Sequence, residues 1–152
     1  MTISKTMRHL VFAAIAGLAP TLALADADAI LAEGAKLCAA ENNGTFGSDG
    51  AVRNMDLTGD ETLETVVDEG RFTCSTAADL FNPEGVSKIH LLVNGTETVI
   101  PVRGWDTANW SGNMLILLQL SGTECEAAAD APCFATVVWG GESFHSIRDL
   151  TQ

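Results

Sequence analysis

Four cysteines, Cys38, Cys74, Cys125 and Cys133, all lie downstream of a stretch that reads as an export signal. In an oxidising compartment an even count implies a disulfide framework, and such a framework restricts which segments can lie apart. Three pairings are open. Chain proximity favours Cys125–Cys133, closing a loop over residues 126–132, and leaves Cys38 for Cys74. By loop-closure entropy the two bridges are worth roughly 2.5 and 4 kcal/mol respectively, before strain is subtracted. A zinc or redox role is a weak reading, because neither a C-x-x-C spacing nor a histidine cluster accompanies these residues.

The export signal rests on three features. Lys5 and Arg8 supply positive charge, Leu10 to Ala19 form a short apolar stretch, and Ala23-Leu24-Ala25 supplies a small-x-small cleavage pattern. The apolar stretch falls well short of the ~20 residues that span a bilayer. Residues 1–25 are therefore expected to be a signal peptide, and 26–152 a single periplasmic or secreted domain. Losing Lys5 and Arg8 leaves six basic residues against 20 acidic ones, formally −14. That excess argues against nucleic acid, and against anionic lipid, as a partner. It suits a basic protein partner or bound cations, and it also serves solubility alone.

Asp26 to about Glu41 is Ala-rich, with Ile30, Leu31, Leu37 and Cys38 near helical spacing, so an N-terminal helix is expected. Asn42-Asn43-Gly44 would end it. Beyond that point the pattern is β. Strands are expected over 51–57 and 65–67, with 71–74 continuing the second and a short helix over 75–81 capped by Ser75. Asn94-Gly95 between Lys88–Val93 and Thr96–Val102 is the clearest hairpin signal, because both turn positions favour positive φ. Pro101 puts its strand at an edge. The apolar run Met114–Leu120 predicts a central strand buried on both faces, and Phe134–Trp139 pairs with Ser143–Ile147 across Gly140-Gly141. The fold class is α+β: about seven mainly antiparallel strands in a sandwich or partial barrel, an N-terminal helix and two disulfides.

The segment Asp56-Leu57-Thr58-Gly59-Asp60-Glu61-Thr62-Leu63-Glu64 places oxygen-bearing side chains at positions 1, 3, 5 and 9. Calcium takes six or more oxygen ligands, so Asp56, Thr58, Asp60, the Thr62 carbonyl and Glu64 form a candidate site. An EF-hand fits poorly, since position 12 is Val67 and the flanks read as strands. The segment resembles instead the calcium loop of FG-GAP and VCBS repeats, D-x-N-G-D-G-x-x-D, with Asp56, Gly59 and Asp60 matching. Thr58 replaces Asn, Glu64 replaces Asp, and Glu61 stands where the second Gly needs positive φ, at a cost of around 1 kcal/mol or more. The resemblance implies weak calcium binding that staples the fold. The alternative is a turn whose carboxylates bond their own backbone.

A wider likeness extends over Asp56–Asp60, Val66-Val67-Asp68-Glu69-Gly70-Arg71-Phe72-Thr73-Cys74-Ser75, Ser121–Cys125, Pro132-Cys133 and Val138–Gly141. In these stretches the chain resembles a group of small exported proteins of alphaproteobacteria. That resemblance implies a periplasmic origin and carries no activity with it.

Trp105 and Trp110 bracket Asp106 to Asn109, a stretch that reads as a loop between strands. Paired aromatics there can stack on a sugar or anchor a protein partner, or they can plug the end of a β core. Trp105, Asp106, Asn109 and Trp110 are thus a candidate binding loop. His90 and His145 are the histidines after residue 25, and no nucleophile stands at a recognisable spacing from either. The leading expectation is a non-enzymatic structural or ligand-binding module, with calcium as its candidate cofactor. The alternative is an inhibitor of a basic cell-wall hydrolase such as lysozyme, which small size, disulfides, export and acidity would suit.

Overall fold

The computed structural model describes residues 26–147; the expected signal peptide lies outside them. In chain order the elements are α1 (Ala27–Ala40), β1 (Phe46–Gly47), β2 (Val52–Met55), β3 (Glu64–Asp68), β4 (Thr73–Cys74), β5 (Ser87–Val93), β6 (Thr96–Val102), β7 (Gly104–Trp110), β8 (Asn113–Leu120), β9 (Cys133–Trp139) and β10 (Phe144–Ser146). All pairing is antiparallel: one four-stranded sheet runs β2-β3-β5-β6, a second runs β10-β9-β8-β7, and β1 pairs with β4. The α+β class, the N-terminal helix and both disulfides are as expected. Cys38 is bonded to Cys74 and Cys125 to Cys133.

Residue alternation along the strands sorts the side chains into two cores. Val66, Ile89, Leu91 and Val102 of the first sheet meet Ile116 and Leu118 of the second. Val67 and Leu92, pointing the other way, meet Cys38, Phe72 and Phe81 beneath α1. The order is therefore helix, sheet, sheet. Asp26 caps α1 through Oδ1, which accepts the Asp28 N–H at 3.1 Å, and Asn42 and Asn43 end the helix at φ 53 and 56. The helix sits close because Gly34 has no Cβ; one built there would lie 3.0 Å from the Phe46 ring. Phe46, Phe72 and Phe81 contact one another edge to face, with centroids 5.0 to 5.7 Å apart.

Four local expectations need correction. Residues 71–74 do not extend β3. Asp68 Oδ1 accepts the Gly70 N–H at 3.0 Å, a 3-10 turn follows over Glu69–Arg71, and Thr73–Cys74 leaves to pair with Phe46–Gly47. Residues 75–81 are turns rather than a helix, because Ser75 Oγ accepts the Thr45 N–H at 2.8 Å instead of capping. The strand buried on both faces is β5, covered by α1 on one side and the second sheet on the other. In β8 only one face is covered, with Ile116 and Leu118 buried and Leu117 39% exposed. Finally, 105–110 is a strand and not a loop: Ser111 and Gly112 make the turn, at φ 52 and 86. β1, β4 and β7 account for ten strands where about seven were expected.

Candidate functional site

Register places a group of charged side chains where the two large sheets meet. Arg53 on β2 pairs with Val66, and Asp68 ends β3 opposite Ile89, so both face the second sheet. Trp105, opposite Leu118 on β8, faces back toward them. The Trp105 indole N–H donates to Asp68 Oδ2 at 2.9 Å, and the Arg53 guanidinium lies 4.0 Å from the Trp105 ring centroid. Arg53 Nη2 is 3.4 Å and Arg71 Nε 3.7 Å from the same Asp68 oxygen. Asp68 is thus a buried acceptor shared by the Trp105 indole, the Arg53 guanidinium and the Gly70 N–H, with Arg71 as a further ion-pair partner.

Arg103 completes the group from the β6–β7 junction. Its backbone N–H donates to Gln119 O at 2.7 Å, and its Nη1 donates to Glu84 O at 3.0 Å. Glu84 adopts φ 55 and Gly85 φ 75, and this bend turns the Glu84 carbonyl to the guanidinium. The resulting cleft has a volume of ≈ 520 Å³, and Arg53, Arg71, Arg103, Asp68, Trp105 and Asp106 are among the residues lining it. Five Lys and Arg side chains occur among the described residues, and three of them are here. Only two carboxylates, Asp68 and Asp106, stand against them. In a chain of formal charge −12 this is a local positive site. Arg53 Nε and Arg103 Nε are buried and find no hydrogen-bond acceptor among the described residues. Such a donor costs about 1–3 kcal/mol, more when charged, until an acceptor reaches it.

Of the expected binding residues, Trp105 and Asp106 line this cleft. Asn109 and Trp110 sit at the far end of β7, where Asn109 Oδ1 accepts the Gly112 N–H at 3.2 Å and Trp110 is 71% exposed. The arginines carried no sequence signal of their own, since residues 53, 71 and 103 lie on a strand, a 3-10 turn and a strand junction that only the tertiary fold brings together. Their scarcity among so many acids was the one available hint.

The acidic loop connects β2 to β3. Asp56 Oδ1 accepts the Gly59 N–H at 2.6 Å and Oδ2 the Glu61 N–H at 3.0 Å. Asp60 Oδ1 accepts the Thr62 N–H at 2.8 Å, a bond that holds the Asp60 carboxyl below its ordinary pKa. Glu64, buried, accepts the Leu57 N–H at 2.6 Å, and Thr58 Oγ1 lies 3.4 Å from its other oxygen. The carboxylates therefore close the loop on its own donors. A calcium ion at this loop rests on the spacing of its oxygen-bearing side chains and on the sequence resemblance.

His90 lies on the opposite face of the first sheet, under α1. Its Nδ1 is 2.6 Å from Glu97 Oε1 and its Nε2 2.8 Å from Glu69 Oε1. Burial pulls its pKa down, but the hydrogen bonds and charges of Glu69 and Glu97 outweigh burial and hold it above the ordinary value. Both ring nitrogens are engaged, so neither is free to take a proton from a substrate. His145, on β10 of the other sheet, is 3.0 Å from Ser143 Oγ through Nε2. No helix among the described residues is long and apolar enough to cross a membrane, and the two disulfides indicate an oxidising compartment outside the cytoplasm. No known protein family matches this chain, and comparison with curated proteins and with solved structures finds no match.

Proposed function

We propose that this chain is a non-enzymatic ligand-binding module of the bacterial periplasm or exterior, and that its cleft between the two large sheets holds a small oxyanion. The carrying observation is the convergence of Arg53, Arg71 and Arg103, with two guanidinium N–H groups that find no acceptor among the described residues. Guanidinium groups present forked donors that match carboxylate and phosphate oxygens, and they keep their charge at any physiological pH. A site of this kind binds and orients an anion; it does not move protons. The β sandwich and its disulfides hold the three arginines on separate elements that need not rearrange to receive a ligand.

The test is an NMR titration of the oxidised protein with acetate and with inorganic phosphate, following the Arg53 and Arg103 Nε–H and Trp105 indole signals. Saturable shifts are expected, weaker at higher ionic strength. Arg103→Gln should abolish them and Arg103→Lys should weaken them. Signals that stay put at tens of millimolar anion, or shifts unchanged in a folded Arg103→Gln protein, would refute the reading.

A further inference from the structure

We infer that the anion carries an apolar tail, so that the ligand is an amphiphilic oxyanion lying across the β7 edge. This rests on the anion reading of the cleft. On the outer face of the second sheet, register aligns Gly104 with Gln119 and Phe134, and Asp106 with Leu117 and Thr136. These residues line a groove of ≈ 480 Å³ that is mostly apolar. Phe134 is 63% exposed and Leu117 39%, on a face that the described residues leave uncovered.

The groove and the arginine cleft share Gly104, Trp105 and Asp106. β7 is the edge of its sheet, so the two hollows meet over one short stretch of backbone. Gly104 is the crossing point. It projects no side chain, and a Cβ there would touch only Gln119 Oε1, at 3.5 Å. Phe134 lies two strands in from Gly104, about 10 Å at ordinary strand spacing. That is the reach of an eight-carbon chain whose head sits among the arginines. Charge fixes the direction: Arg53, Arg71 and Arg103 line the cleft, whereas no Lys or Arg lines the groove. Burying the tail against Phe134 and Leu117 supplies the favourable term that an exposed head contact lacks.

The experiment compares acetate, inorganic phosphate and octanoate by the same titration. Octanoate should bind at least about tenfold more tightly than acetate, the effect of burying two methylene groups. Phe134→Ser and Leu117→Ser, both in the groove and outside the arginine cleft, should bring that ratio close to one while acetate binding persists. Both should fold, because Phe134 and Leu117 are exposed on the outer face of the sheet. Equal affinity for octanoate and acetate would overturn the tail and leave the anion site standing, as would a tenfold preference that survives in both variants. Octanoate binding that is indifferent to Arg103→Gln would overturn the anion site itself.

Discussion

The indole N–H of Trp105 donates to Asp68 Oδ2 at 2.9 Å and ties β7 of one large sheet to β3 of the other. Asp68 is 8% exposed, and it also receives Arg53, Arg71 and the Gly70 N–H. Removing one partner from a buried charged group costs about 3–5 kcal/mol, the lower end applying here because Arg53 and Arg71 are more than a third exposed. Asp68→Ala is expected to lose about 3 kcal/mol in chemical denaturation, and Trp105→Phe about 1 kcal/mol for one hydrogen bond. A neutral Asp68→Ala would mean that the bridge does not couple the sheets.

The acidic loop yields two opposite changes. Glu64→Ala strands the Leu57 N–H in a buried setting and should cost about 1–3 kcal/mol. Glu61 adopts φ 68, a region that glycine occupies freely. Glu61→Gly should therefore stabilise slightly, by about 0.5 kcal/mol once the added freedom of the unfolded chain is subtracted. Thermal melts in EDTA and in 10 mM calcium should coincide, since the carboxylates already hold the loop's donors. A rise that needs calcium, and that Asp56→Ala and Asp60→Ala both remove, would place an ion there.

His90 makes stability depend on pH with a definite sign. Its folded-state pKa is raised above the ordinary 6.5. Its protonated form is thus favoured by folding, and its contribution is fully present below about pH 6.5 and is lost as pH rises through the folded value. The melting temperature should decline as pH climbs above neutrality, and His90→Gln should flatten that decline. Parallel profiles for the two proteins would show that Glu69 and Glu97 do not hold a proton on this ring.

The strands and turns were legible wherever a local rule was decisive. Asn94-Gly95 set its hairpin because both positions take positive φ, and Pro101 fell on the edge strand β6. Alternation failed at β7, where Asp106, Thr107 and Asn109 read as loop residues; only pairing to β8 makes them a strand. It failed again at Ser75, whose hydroxyl is taken by Thr45 thirty residues away. The arginine cleft was the least legible feature, since Arg53, Arg71 and Arg103 come together through the packing of one sheet on another. Trp105 and Asp106 were singled out because two tryptophans bracket their segment, and they line the cleft although that segment is a strand.

The two disulfides should differ in weight. Cys38–Cys74 spans 36 residues and joins α1 to β4, whereas Cys125–Cys133 spans eight and closes a local loop before β9. Loop-closure entropy gives about 4 and about 2.5 kcal/mol respectively. Packing widens the gap, because Cys38 and Cys74 belong to the core beneath α1 that also holds Phe72 and Phe81. Cys38→Ala/Cys74→Ala should therefore lower the melting temperature well beyond Cys125→Ala/Cys133→Ala. The first pair of changes should also detach α1, read as a loss of hydrogen-exchange protection over 27–40. The second should leave that protection intact while loosening the segment before β9. Equal melting-temperature losses for the two double variants would mean that α1 is held by its apolar face alone and that the Cys38–Cys74 bridge adds no more than the local one.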